Sequence, residues 1–214
     1  MRMLIALLAV LAGPAWSCQT ALVLAIDVSN SVDEAEYRLQ VDGLADALGD
    51  PEVIEALVRD EVALLVLQWS GVDRQVVTQD WARMTDMAAV ATFAIGARLT
   101  PRAFEGSDTA PAEALRFALR QFGAVGDCHR RVIDVSGDGT PNAGSDTRTA
   151  RAEAAAAGIT INAIAIESLG LAISGFYRRE LITADGFVLT ARGHRDYPAA
   201  MRAKLIRELA RVIG

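Results

Sequence analysis

The sequence predicts an α/β fold: a doubly wound, mostly parallel central sheet with one antiparallel edge strand and helices on both faces. Three observations carry this reading. From Thr20 onward, apolar runs of strand length alternate with amphipathic segments of helix length, the pattern of βαβ units. The run Thr20–Asp27 (TALVLAID) is almost continuously apolar, as expected of a central strand covered on both faces. One pair of runs is joined only by the Ser70–Asp73 turn, which is too short for the crossover that parallel strands require.

The elements follow in order. After Thr20–Asp27, a helix over about 33–48 places Val41, Leu44, Ala45 and Leu48 on one face, and Ser31 with Glu34 forms a capping box at its start. Asp50-Pro51 breaks that helix. Glu61–Trp69 (EVALLVLQW) is a second strong strand, and Arg74–Trp81 (RQVVTQDW) is the weaker edge strand of the hairpin. A helix over about 86–97 comes next. Another over 109–122 sets Leu115, Ala118, Leu119 and Phe122 on one face and tolerates Pro111 in its first turn. Arg131–Ser136 is the fourth strand, an Ala-rich helix over about 146–157 stops at Gly158, and Ile159–Ile166 is the fifth strand. Phe187–Thr190 is a weak sixth strand before a final helix over about 197–212. Between them, 167–185 reads two ways, with Phe176-Tyr177-Arg178-Arg179 either a specificity patch or part of a helix over the sheet edge. No internal repeat or linker divides the chain, so 18–214 is expected to be a single domain.

Composition narrows the function. With 214 residues, 52% hydrophobic and 22% charged, the chain is neither disordered nor a disulfide-stapled miniprotein. The net charge of −6 and the lack of a Lys/Arg-rich run argue against nucleic acid as a partner. Residues 1–17 read as a secretory signal peptide: Arg2, an apolar run over Met3–Gly13, then small residues Ala15 and Ser17 at the −3 and −1 positions of a cleavage site. That run is far short of the ~20 residues of a membrane span. The protein is therefore expected to be exported, to the periplasm or outside the cell, with no transmembrane segment. Lipid anchoring at Cys18 fits poorly, because Trp16 stands where a small or aliphatic residue is needed.

In an open parallel sheet, ligands bind beyond the carboxyl ends of the strands, near the point where strand order reverses. Three polar groups belong there. Asp27-Val28-Ser29-Asn30-Ser31 presents oxygen side chains at alternate positions, Ser136-Gly137-Asp138-Gly139 follows the fourth strand, and Gly106-Ser107-Asp108-Thr109 opens a helix. Each has an ordinary reading: Ser31 and Thr109 as helix caps, Asp138 as a turn former. Taken together, the donors are all hard oxygens, which suit Mg²⁺, or Mn²⁺ or Ca²⁺, and not zinc or copper. Asn142 and Asp108 are expected to shape or rim the site, and Asp134, inside a buried strand, to make a structural hydrogen bond. His129 and His194 read as surface residues, and Trp69, Trp81 and Phe104 as packing.

The D-x-S-x-S run at 27–31, the lone Thr109 and Asp138-Gly139 after an apolar strand resemble the metal-ion-dependent adhesion site (MIDAS) of von Willebrand factor type A (VWA) domains. The resemblance covers 18–214, is similar to a secreted bacterial branch of unknown function, and implies the Rossmann-like VWA fold. It implies that Ser29 and Ser31 ligate the metal through hydroxyls, that Thr109 is a further ligand, and that Asp27 and Asp138 act directly or through water. Related domains grip an acidic residue of a partner, so the implied activity is metal-dependent protein binding, adhesion or assembly, without turnover.

The cysteines fit this register. Cys18 lies nine residues before Asp27 and Cys128 ten before Asp138, at matching heights on strands that neighbour each other in the doubly wound order. Parallel neighbours ~4.8 Å apart meet the ~4.4–6.8 Å Cα separation of a disulfide, which an exported protein would form. Two other functions compete. A Mg²⁺-dependent phosphoester hydrolase lacks support, since the first strand ends in D-x-S rather than D-x-D and neither a G-x-x-x-x-G-K-[ST] loop nor a G-x-S-x-G elbow occurs. A degenerate VWA domain would bind partners without metal.

Overall fold

A computed structural model describes residues 18–210 except 168, 169 and 171. The expected signal peptide, 1–17, lies outside the described residues. The strands are β1 (Cys18–Asp27), β2 (Ala63–Trp69), β3 (Gln75–Arg83), β4 (Cys128–Gly137), β5 (Thr160–Ile166) and β6 (Val188–Ala191). They form one sheet in the order β3-β2-β1-β4-β5-β6. Every pairing is parallel except β2 with β3. This is the expected fold class. Strand order reverses between β1 and β4, so the crevice beyond their carboxyl ends is where a ligand site belongs.

Alternation along β1 builds both halves of the core, because successive side chains point to opposite faces. Leu22, Leu24 and Ile26 pack with α1 (Glu34–Leu48), α3 (Met87–Leu99) and α7 (Tyr197–Ala210) through Leu44, Phe93 and Leu205. Ala21, Val23 and Ala25 face α4 (Pro111–Gln121) and α5 (Thr147–Ala156) through Leu115 and Ala154. At the amino ends of β1 and β4, Cys18 pairs in register with Cys128, and a disulfide joins them with a Cα–Cα distance of 4.5 Å.

Local chemistry departs from the sequence reading in three places, and in a fourth it selects between two readings. Asp50-Pro51 ends α1 but also starts a helix, α2 (Pro51–Arg59): the Asp50 carboxylate accepts from the N–H groups of Glu52 and Val53, and Pro51 occupies the first turn. The capping box of α1 uses Asp33 and Glu36, two residues later than Ser31 and Glu34, which leaves Ser31 outside the helix. The helix expected from Thr109 begins at Pro111, with Ala110 as its N-cap. The region after β5 forms α6 (Ala172–Phe176) running into a π-helical turn at Tyr177–Leu181. The segment is therefore helical, with Tyr177 fully buried and Arg178 and Arg179 exposed.

Asp134 is held by an ion pair with Lys204 of α7 rather than by a hydrogen bond within the sheet. Lys204 also faces Glu208 at 3.9 Å, and Glu208 receives Arg130 at 2.8 Å and the Asn162 amide. Burial pushes the Asp134 carboxyl up to about 6, against the pull of the Lys204 ammonium and with Glu208 adding to the rise. Because the folded value exceeds the ordinary 3.8, the native state holds this proton more tightly than the unfolded chain. The resulting stabilisation is complete below about pH 4 and is lost as pH rises through about 6. Urea unfolding of the wild type and Asp134→Asn should therefore show the wild type gaining on the variant as pH falls from 7.5 to 4.5; a difference that does not change with pH contradicts this.

Candidate metal site

The β1–α1 loop turns back on itself at the switch point. The Ser29 N–H donates to Asp27 Oδ1 at 2.8 Å, and the Val32 N–H donates to the Ser29 carbonyl at 3.0 Å. This turn lines up four side chains: Ser29 Oγ lies 3.2 Å from Ser31 Oγ, and Ser31 Oγ donates to Asp138 Oδ1 at 2.5 Å. Asp27 and Ser29 are completely buried, whereas Ser31 is exposed and Asp138 partly so. The row therefore runs from the sheet interior to solvent.

Thr109 reaches the same place from another loop. It is buried, and a Cβ added to Gly139 would lie 3.5 Å from its Oγ1. Starting the helix at Pro111 leaves its hydroxyl clear of capping duty. Asn142 fixes its backbone, accepting the Thr109 N–H at 2.8 Å while its own N–H donates to the Thr109 carbonyl at 3.1 Å. Asn142 thus shapes the site, and exposed Asp108 sits on its rim with its carbonyl held by the Ser70 hydroxyl. The Asn30 N–H donates to the Ser107 carbonyl at 2.9 Å and ties the two loops together.

Burial governs the electrostatics of this place. Burial pushes the Asp27 carboxyl up to about 7, against the Ser29 hydrogen bonds that favour its anion. Burial also raises Asp138, opposed by its bond from Ser31. Asp27 Oδ2 is buried with no hydrogen-bond partner among the described residues, a costly state for a carboxylate. Gly137 creates its space: a Cβ there would lie 2.8 Å from this oxygen and 2.6 Å from the Tyr177 hydroxyl. The oxygen-only donors and the orphaned Asp27 oxygen fit a hard divalent cation.

Several contributors escaped the sequence reading. Gln40 Nε2 donates to the Asp27 carbonyl at 3.2 Å, and Arg102 Nη2 donates to the carbonyls of Val28 and Ser29 at 3.1 Å each, bracing the loop from outside. Neither residue belongs to a recognisable pattern. Glu36 carried a local signal that the sequence reading passed over in favour of Ser31 and Glu34, its place three residues after Asp33 in a capping box. His194, read as a surface residue, is instead buried, with Nδ1 3.1 Å from Glu36 Oε1 and Nε2 4.0 Å from Asp138 Oδ2.

Comparison with known proteins agrees with this architecture. A family model described as "Protein of unknown function (DUF1194)" matches residues 17–213. Comparison with curated proteins finds no match. Among solved structures, a von Willebrand factor type A protein from Catenulispora acidiphila superposes with a TM-score of 0.62 at 18% identity, over 92% of this chain and 43% of that one. Proximal thread matrix protein 1 from the mussel byssus, with a zinc-occupied MIDAS motif, gives 0.64 at 18% identity, over 90% and 48%. The vWF domain of the type V pili tip protein Mfa5 from Porphyromonas gingivalis gives 0.65 at 12% identity, over 94% and 98%. The chain thus spans about half the length of the first two and nearly all of the third. At these identities the likeness establishes the VWA fold.

Proposed function

Since the chain belongs to the DUF1194 family, whose function is unknown, and carries the VWA fold, we propose from its own residues that it is an exported, metal-dependent protein-binding module. Asp27, Ser29, Ser31, Thr109 and Asp138 would hold the cation. The observation that carries this reading is the row of buried-to-exposed oxygens ending in an Asp27 Oδ2 that lacks a partner. Two carboxylates and neutral hydroxyls only balance a divalent charge, and Mg²⁺, with Mn²⁺ or Ca²⁺ as alternatives, supplies a positive centre that readily keeps exchangeable waters. The exposed end at Ser31 and Asp138 is open to an Asp or Glu carboxylate of another protein. The likeness to a pili tip protein and to a thread matrix protein supports the adhesion or assembly role. The zinc-occupied MIDAS of the byssus protein supports a divalent cation on this fold. Export is supported by the Cys18–Cys128 disulfide, since such bonds persist in oxidising compartments. Among the described residues, no helix is long and apolar enough to cross a membrane.

Calorimetric titration of Mg²⁺ and Mn²⁺ into EDTA-treated protein tests this. Saturable binding is expected in the wild type and should vanish in Ser29→Ala/Ser31→Ala with the far-UV spectrum unchanged. At about 100-fold excess over Kd, the cation should stabilise the wild type by ~2.7 kcal/mol, or roughly 5–10 °C in Tm for a domain of this size. A folded wild type that binds neither ion, and captures the same partners with and without EDTA, would overturn the metal-dependent reading.

A further inference from the structure

We propose that His194 and Asp138, with Glu36 behind the imidazole, form a second cation site beside the hydroxyl row, one that takes a nitrogen-preferring dication such as Zn²⁺. This goes beyond the proposed function and does not require it. One ligand atom from each of Glu36, Asp138 and His194 lies within 4.8 Å of the others. They come from the first turn of α1, the loop after β4 and the 3₁₀ turn His194–Asp196. The three line a cavity of about 280 Å³ together with Ser31, Glu167 and Gly193.

The orientation of the imidazole points to a cation. Glu36 Oε2 is held by the Asp33 N–H at 2.9 Å, which leaves Oε1 to face His194 Nδ1 at 3.1 Å. A proton on Nδ1 satisfies that pair and turns the Nε2 lone pair toward Asp138. Nε2 has no hydrogen-bond partner among the described residues, and the His194 side chain is only 7% exposed. It faces Asp138 Oδ2 at 4.0 Å, too long for a hydrogen bond. With that tautomer, a buried imidazole lone pair faces a partly buried carboxylate oxygen, an arrangement that a cation between them would relieve. Bonds of ~2.0–2.2 Å at a tetrahedral angle put histidine nitrogen and carboxylate oxygen about 3.4 Å apart, so a bound metal would draw Asp138 slightly inward from its present 4.0 Å. Glu36 then serves as a positioning residue, in the carboxylate–histidine–metal relation common at zinc centres. Asp138 would serve both sites, since Oδ1 accepts from Ser31 and Oδ2 faces His194.

The chain has two histidines, and the other, His129, is exposed on β4, so ¹⁵N-histidine labelling reads His194 against an internal control. Zinc chloride is titrated into the wild type in excess Mg²⁺ and into Ser29→Ala/Ser31→Ala, followed by long-range ¹H–¹⁵N spectra. Ring resonances of one histidine should shift and saturate in both proteins, disappear in His194→Gln and persist in His129→Gln. Glu36→Gln, which can still cap α1, should weaken Zn²⁺ about tenfold. Should His194→Gln fail to fold, His129→Gln alone identifies the shifting ring. No saturable shift, equal shifts of both rings, or a response lost in Ser29→Ala/Ser31→Ala would overturn the second site. Because that double variant lacks the hydroxyl row, failure here and failure of the first site are read separately.

Discussion

Replacing Cys18 and Cys128 together by Ala is expected to lower the free energy of unfolding by about 4–5 kcal/mol. The bridge joins residues 110 apart, and chain-entropy estimates for a loop near this length give ~4.7 kcal/mol. Its position favours realising most of that value. Cys18 and Cys128 are register partners on adjacent parallel strands at the centre of the sheet, so closing the bond asks for no backbone displacement. Both sulfur-bearing residues are buried as members of one apolar cluster, and the alanines would add a small cavity term. At ~2–4 °C per kcal/mol for a domain of this size, Tm should fall by roughly 10–20 °C, and a reducing agent should reproduce the fall in the wild type. The cation site lies at the opposite ends of β1 and β4, about nine residues or ~30 Å along the strand, so its affinity should be unchanged where the variant is folded. A Tm shift of a degree or two would mean that the reduced unfolded chain is already restricted in the same way.

What the sequence disclosed and what it hid divide along the range of the interactions. The central strands were legible because burial on both faces writes continuous apolar runs, as in Leu22–Ile26 and Leu64–Leu67. The D-x-S-x-S loop was legible because its donors sit at alternate positions of one segment. The α2 helix was missed because Asp50-Pro51 acts as both a stop and a start, and only the cap bonds to Glu52 and Val53 reveal the second role. Lys204 lies 70 residues from Asp134, and nothing local to either announces the pair. His194 was taken for a surface residue because a lone histidine has no periodicity to betray its burial. Its partners come from α1 and the end of β4, and topology alone brings the three together. Charge pairs and site braces made across the sheet are set by the fold, so they become visible only after the fold is in hand.

The most informative steric change near the site is Gly137→Ala. On backbone grounds alone the substitution should help, since glycine within a strand costs about 0.5–1 kcal/mol relative to alanine. Here the new methyl would sit 2.6 Å from the Tyr177 hydroxyl, 2.8 Å from Asp27 Oδ2 and 3.3 Å from Asp27 Cβ. Both side chains are fully buried, so neither can swing into solvent to make room. Overpacking of this kind typically costs about 1–3 kcal/mol, and the strain falls on the carboxylate that the proposed cation site needs. Gly137→Ala should therefore lower the urea midpoint and abolish the stabilisation by Mg²⁺. Gly139→Ala, two residues on, is the control: its methyl would meet Thr109 at an ordinary 3.5 Å, so stability and the Mg²⁺ effect should stay near those of the wild type. If both variants behave alike, the space beside Asp27 is not what makes the site. If only Gly137→Ala fails, the missing side chain at 137 is a requirement of the site, because it is what lets a fully buried carboxylate keep one oxygen free.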